Sequence, residues 1–331
     1  MLKSKKGKAL ALCMAAALSL AALSGCGSEK SAEKKVVKVG IVQLVEHNAL
    51  DAANKGFVDG LAKRGYKEGE NIEFDRQNAQ ADQSNLQNIA QRFVNNKVDL
   101  ICAIATPAAQ AAANLTKDIP IVATAVTDYQ QAKLVASNEA PKGNVTGTTD
   151  MNPIKEQVDL LLKLVPNAKT IGTVYCSSEV NSETQVKLMK EYAQSKGLTV
   201  VEATVSTVND IQQATQSLVG KVDAIYEPTD NIIASAMPTL AAITNPAKIP
   251  VICGEPNMVK AGGLATYGVD YYQLGLQTGE MAADILSGKT KPADMPIQAL
   301  KEMKLTINET NAKLLGITIP ADMLSSADLV Q

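Results

Sequence analysis

The chain has 331 residues, long enough for two domains, and 46% of its side chains are apolar while only 3% are aromatic. An aliphatic, Ala-rich core of this kind suits α/β packing better than an aromatic-rich all-β fold. The formal net charge is −2, and without the four lysines of residues 1–25 the count is 28 basic against 34 acidic residues, so no basic surface argues for nucleic-acid binding.

The first segment combines Lys3, Lys5, Lys6 and Lys8 with an apolar run from Ala9 to Leu23, too short for a comfortable membrane span. It ends in Leu23-Ser24-Gly25-Cys26, which resembles the bacterial lipobox. That resemblance implies a lipoprotein signal peptide over residues 1–25, cleavage before Cys26, and acylation of the Cys26 thiol by palmitate-type chains. The polar stretch 26–35 then reads as a lipid-anchored tether, and the expected location is the extracytoplasmic face of the cell membrane. Of the five cysteines, Cys13 goes with the leader and Cys26 with the lipid. Cys102, Cys176 and Cys253 remain, an odd number and a poor disulfide framework. Each falls within or just after an apolar strand, where Cys behaves as a small hydrophobe.

Val36 to Leu44 is a continuous apolar strand of the doubly buried kind. Glu46, His47 and Asn48 follow at its end, and Asn48 is placed to cap a helix from Ala49 to about Arg64. Asn71 to Asn78 reads as a strand. Asp82 to Asn95 reads as an amphipathic helix with Leu86, Ile89, Ala90, Phe93 and Val94 on one face. The segment KVDLICAIATPAAQ (97–110) predicts a buried strand, Val98 to Ala103, running into a helix with Thr106 as N-cap and Pro107 first. Such a corner offers free N–H groups and a positive dipole end to an anion. Ile119 to Ala125 is a fourth strand, ending at Thr127 and Asp128. Gly143 to Thr149 reads as a connector.

The pattern then restarts. Thr170 to Tyr175 is a strand followed by Ser177 and Ser178, and Ser182 with Gln185 has the spacing of a capping box. A strand follows at Thr199 to Thr204 and a helix at Asp210 to Gly220. KVDAIYEPTDNIIAS (221–235) repeats the strand-to-helix corner, with Pro238 expected to break its helix. Matching segments recur at displacements of about 124 to 130 residues, read directly from the chain. This points to one internal duplication. Each half reads as alternating strands and helices, hence α/β with two doubly wound, Rossmann-like parallel-sheet lobes. Ligands in such sheets bind at the rim of strand C-terminal ends. The tail, with strands at Leu264–Val269 and Lys304–Ile307 and a helix at Tyr272–Ser287, revisits both halves and implies a three-segment hinge. The expected lobes are 36–147 plus 268–290 and 148–267 plus 291–331.

These features together resemble the type I substrate-binding proteins of ABC importers. VGIVQLVEHNALDAANKGFVDGL, LICAIATPAAQAAA, YEPTDN and YGVDYYQLG resemble the importer lipoproteins that bind aromatic amino acids, over about residues 36 to 320. Asn48 stands where that pattern would have Pro, and Glu227 where it would have an apolar residue. The resemblance implies a monomeric, extracytoplasmic solute-binding lipoprotein that captures a small zwitterion, an amino acid with aromatic ones favoured. It would deliver this ligand to an ABC permease and its ATPase. A sensory lipoprotein, or a sugar or nucleoside ligand, stays open as an alternative.

A zwitterion needs opposite poles. Thr106 with the backbone N–H groups of Ala108 and Ala109 is the candidate carboxylate site, and Ser177 and Ser178 add donors. Asp230 is the leading ammonium acceptor, with Asp128 and Glu255 behind it. Glu46, Thr127, Asn181 and Asn231 complete the candidate ligand-binding set at strand ends, although Thr106 and Asp230 also fit as plain N-caps. The single His leaves little for a metal site or a Ser-His-Asp triad, and no phosphate-binding glycine motif is present. No enzyme activity, catalytic residue, metal, cofactor or nucleic-acid partner is expected.

Overall fold

The structure, a computed structural model, describes residues 36–331; the leader, the Cys26 motif and the tether lie outside the described residues. The first lobe begins with β1 (Val37–Gln43), α1 (Asn48–Lys63), β2 (Ile72–Asn78), α2 (Gln83–Asn95), β3 (Leu100–Ile104), α3 (Thr106–Leu115) and β4 (Ile121–Val126). β3 and β4 are buried along their whole length, as apolar runs covered by helices on both faces must be. α2 is capped by Asp82, whose side chain accepts from the Asn85 N–H at 2.8 Å, and it buries Leu86, Ile89, Ala90 and Phe93.

Two expectations about this lobe need correction. The segment read as a connector is β5 (Val145–Thr149), parallel to β4. Its Val and Thr residues favour the pleated, half-buried state, and Gly147 permits the approach: a Cβ there would stand 1.9 Å from the Ala123 carbonyl oxygen. The helix expected to be capped by Asn48 instead begins at Asn48, with His47 in the N-cap position and no side-chain cap.

The second lobe runs through α4 (Ile154–Leu164), β6 (Thr170–Cys176), α5 (Val180–Ser195), β7 (Thr199–Val205), α6 (Ile211–Leu218), β8 (Ala224–Glu227), α7 (Asn231–Ser235), α8 (Met237–Thr244), β9 (Val251–Cys253), α9 (Pro256–Lys260) and β10 (Ala265–Gly268). The helix break expected from Pro238 falls at Ala236, and the proline sits in the first turn of α8, where no N–H is required of it. The sheets run β2-β1-β3-β4-β5 and β7-β6-β8-β9-β10, the same order twice. The duplication read from spacing is thus a duplication of topology. In each sheet the order reverses beside the first strand, and the crevice at such a switch point is where a doubly wound sheet takes its ligand.

The chain crosses between lobes at 150–153, at 269–270 into α10 (Tyr271–Leu286), and at 300–303 between β11 (Gln298–Ala299) and β12 (Lys304–Asn308). The expected division gave 291–331 to the second lobe; residues 291–299 belong to the first. β11 pairs with β5, and the Thr146 hydroxyl donates to the Met295 carbonyl at 2.7 Å. The second sheet is also not wholly parallel. β12 enters its edge from the third crossing, without a crossover helix, and pairs antiparallel with β10, while β13 (Asp328–Val330) pairs parallel with β12. Two short helices, Glu309–Leu315 and Ala321–Leu324, lie between them.

α10 is fastened to the first lobe through α1. Gly56 and Gly60 on α1 meet Gly275 and Gly279 on α10. A Cβ on Gly56 would lie 2.1 Å from the Tyr272 carbonyl oxygen, and one on Gly275 would lie 2.0 Å from that of Ala53. The two backbones are in contact, so the second crossing emerges from a fixed point. Cys102, Cys176 and Cys253 are all buried and free.

Candidate ligand cleft

The rims of the two sheets face each other across a narrow cleft. The cavity left between them is small, about 10 Å³. The first lobe supplies His47 and Leu50 from the start of α1, and Ala125 and Thr127 from the end of β4. The second lobe supplies Asn181 from the start of α5, Thr229, Asp230, Asn231 and Ala234 from the β8–α7 corner, and Glu255 from the cap of α9. Asp150 and Tyr271, one in the first crossing and one just after the second, close the hinge side. No Lys or Arg is among these lining residues.

The lobes touch directly. His47 Nε2 lies 3.3 Å from Asn231 Oδ1. Thr127 Oγ1 lies 3.5 Å from Thr229 Oγ1 and receives Gln185 Nε2 at 3.4 Å. Gln185 also donates to Thr229 Oγ1 at 2.5 Å. Ser182 and Gln185 therefore do not form a capping box, since both side chains reach across to the β8–α7 corner. At the hinge, Asp150 accepts from the Thr127 hydroxyl at 3.0 Å and from the Tyr271 hydroxyl at 2.6 Å. One carboxyl thereby ties two of the three crossings together.

The second-lobe wall concentrates buried acids. Asp230 caps α7 through the Ile233 N–H at 2.9 Å, and its other oxygen accepts from the Cys176 N–H and the Ser182 hydroxyl, each at 2.7 Å. Glu179, at the start of α5, accepts from the Asn181 amide at 2.9 Å and the Asn231 amide at 2.5 Å. Burial, with the Asp230 charge beside it, pushes the Glu179 carboxyl up to about 8. Burial raises Asp230 and Asp150 as well. Glu255 caps α9 through the Asn257 and Met258 N–H groups at 2.6 and 2.7 Å; burial pushes it up to about 7. On the facing wall, burial lowers the His47 imidazole below its ordinary value, which favours the neutral ring. Each shift has the same largest cause: burial removes the charged form from water.

Of the candidate residues read from the sequence, Thr127, Asn181, Asp230, Asn231 and Glu255 lie together on this cleft. Glu46, Ser177 and Ser178 are exposed and outside its lining. Asp128 spends its carboxylate on the Gln130 and Gln131 N–H groups at 2.9 and 3.0 Å. Thr106, Ala108 and Ala109 are buried at the β3–α3 corner but do not line the cleft. Thr106 is inside α3 rather than at its cap; the cap position is Ala105, at φ +85°. The Ala109 N–H bonds the Ala105 carbonyl at 3.1 Å, within the helix. Glu227 is wholly buried on β8, accepts from the Val174 N–H at 3.1 Å, and reaches neither solvent nor the cleft. Asp150, Glu179 and Thr229 carry no ligand role in the sequence reading. The one signal for Asp150 was its place directly after the Gly/Thr segment, where a first crossing had to begin.

The sequence pattern of the family described as "ABC transporter substrate binding protein" matches residues 38–331. The chain belongs to this family. Its two lobes have the architecture of type I periplasmic binding proteins. It is 47% identical over 327 residues to a "Tyrosine-binding protein" of Clostridioides difficile (strain R20291), covering 96% of this chain and 94% of that one. Among solved structures it is similar to an ABC domain in complex with L-Trp from Streptococcus pneumonia, with 43% identity, a TM-score of 0.87, and coverage of 90% of this chain and 100% of that one. A ligand-free, open substrate-binding protein from Clostridium difficile is 48% identical over 89% of this chain and 99% of that one, yet superposes with a TM-score of only 0.69. The direct bonds between Thr127 and Thr229 and between His47 and Asn231 are those of a closed cleft.

Proposed function

We propose that this substrate-binding protein captures a free amino acid, aromatic ones by preference, between its two lobes and delivers it to an ABC permease and its ATPase. The observation that carries the reading is the 47% identity, over nearly the whole of both chains, to a protein named for tyrosine binding. The L-Trp complex at 43% identity points to the same ligand class. The cleft chemistry agrees. Its wall of buried carboxyls, with no lysine or arginine among the lining residues, favours a ligand that brings its own positive charge. Leu50, Ala125, Ala234 and Tyr271 give an apolar side for a ring. Hinged closure of the lobes over the ligand supplies the signal to the permease, and no chemistry is done on the ligand. The chain acts as a monomer held at the outer face of the membrane by lipid on Cys26.

The reading is tested by melting curves of the purified protein with L-tyrosine, L-tryptophan, L-leucine, a pentose and a nucleoside. The aromatic amino acids are expected to stabilise it by about 3 kcal/mol at a hundredfold excess over their dissociation constants. Stabilisation by the pentose or the nucleoside alone would overturn the reading. Mass spectrometry of membrane-extracted protein is expected to find a diacylated Cys26 at the mature N-terminus; an unmodified chain retaining residues 1–25 would remove the anchor.

A further inference from the structure

Asp230 has the position of an ammonium acceptor, but most of its lone pairs are taken up within the second lobe. One of its oxygens is held by the Ile233 N–H and the other by the Cys176 N–H and the Ser182 hydroxyl. Glu255 is in the same condition, with both oxygens engaged by the first turn of α9. Two other acceptors at the second-lobe rim are buried with no partner: Asn181 Oδ1 and Glu179 Oε1. Both residues are more than nine-tenths buried, and a buried acceptor left unpaired costs about 1–3 kcal/mol. Such atoms call for a donor.

The orientation of Asn181 is fixed by its neighbours. Its Nδ2 faces Glu179 Oε2 at 2.9 Å, the Thr229 carbonyl at 3.1 Å and Ser182 Oγ at 3.3 Å. The Thr229 carbonyl can only accept, so the amide nitrogen must point at it and Oδ1 must point the other way. Asn181 is itself part of the cleft wall. Glu179 stands directly behind it and behind Asn231, joined to both through Oε2, with Oε1 still unclaimed. The ionisable groups around the pair are Asp230 at the start of α7, Cys176 at the end of β6, and His47 across the cleft through Asn231. Asp150 and Glu255 lie on the remaining walls. None of these is a lysine or arginine, and the His47 ring favours its neutral form.

We propose that the ammonium group of the ligand is seated by Asn181 and Glu179. Asn181 Oδ1 takes one N–H from the cleft wall. Glu179, behind Asn181 and ionised when the ligand is bound, supplies the countercharge and offers Oε1 to a second N–H. Asp230 is a positioning residue that binds α7 to β6 and α5, so that Asn181 faces the cleft with Glu179 behind it. This assignment rests on the amino-acid reading above. It makes the second lobe the site of first recognition and the first lobe the lid.

The test is calorimetric titration of wild type, Glu179→Gln and Asn181→Ala with L-tyrosine and L-tryptophan. Each is set against its deaminated analogue, 3-(4-hydroxyphenyl)propanoate or 3-(indol-3-yl)propanoate, and a melting curve of every variant reports its fold. Wild type should prefer each amino acid strongly over its analogue. Both variants should lose affinity for the amino acids by about 10- to 100-fold while binding the analogues as wild type does, so that discrimination shrinks. Glu179→Gln keeps the shape and the acceptor of the side chain; if it does not fold, Asn181→Ala decides alone. Amino-acid binding by wild type with unchanged affinity in the folded variants would overturn this assignment and leave the amino-acid reading standing. Wild type that binds neither amino acid would overturn both.

Discussion

The two strand-to-helix corners, KVDLICAIATPAAQ and KVDAIYEPTDNIIAS, come from one duplication and end differently. In the first lobe the corner after β3 is packed with alanine, and Thr106 is buried with its hydroxyl unpartnered and out of the cleft. In the second lobe the corner after β8 carries Thr229, Asp230 and Asn231, all on the cleft wall and all bonded to α5. Duplication preserved the backbone route and the strand order. It did not preserve which corner holds polar chemistry. The cleft is therefore lopsided: the second lobe presents a buried hydrogen-bond network, and the first presents His47, Thr127 and apolar surface.

That asymmetry can be broken experimentally, and the largest effect belongs to Asp230. Asp230→Ala removes the cap of α7 and strands the Cys176 N–H and the Ser182 hydroxyl in the interior. A loss of about 3 kcal/mol in unfolding free energy is expected from urea titration. A loss below about 1 kcal/mol would show that the network is not what holds the second corner.

Acidity gives the next effect. Glu179 and Glu255 are raised to about 8 and about 7 from the ordinary 4.5, so the fold prefers their neutral forms. Their stabilising contribution is complete below the ordinary value and is lost as pH rises through 7 and 8. His47 is lowered from 6.5, so its contribution acts in the opposite sense, lost as pH falls, and is nearly constant above pH 7. The melting temperature of the ligand-free protein should therefore fall by several degrees between pH 7 and pH 8.5, and the fall should be smaller in Glu179→Gln. A flat profile in wild type would contradict the burial of uncompensated acids.

Smaller changes sharpen the comparison. Thr229→Val removes the hydroxyl that Gln185 and Thr127 share, and should cost about 1 kcal/mol and favour the open arrangement in solution scattering. Thr106→Val, in the corresponding corner of the first lobe, replaces an unpaired buried hydroxyl with a methyl. It should leave stability within about 0.5 kcal/mol of wild type or raise it, and leave ligand affinity unchanged. A tenfold loss of affinity in Thr106→Val would restore the first corner as a ligand site.

Much of the fold was legible because periodicity and turn residues carry it. The β1 run, the α2 stripe and the repeated KVD corners each report a local pattern with a local cause. What failed was non-local. β5 was hidden because its Gly and Thr content reads as a loop until Ala123 and Tyr129 pack over Gly147. The third crossing was misplaced because nothing in residues 291–299 announces pairing with β5. In the cleft, Asp230 was conspicuous by position, but its engagement by Cys176 and Ser182, beyond its own cap bond to Ile233, depends on two other segments. Ser182 and Gln185 imitate a capping box in spacing while spending their side chains across the lobe. A linear chain shows which residues arrive at a rim, and the packing of the rim decides which of their lone pairs stay free.

The central claim is that the second-lobe wall, not the β3–α3 corner, holds the charged end of the ligand. The most direct measurement is the crystal structure of the protein grown with L-tryptophan. The account predicts the ammonium nitrogen within about 3.2 Å of Asn181 Oδ1 and facing the Glu179 carboxylate. An ammonium group seated against the first lobe, with the ligand carboxylate on the Asn181 side, would contradict it.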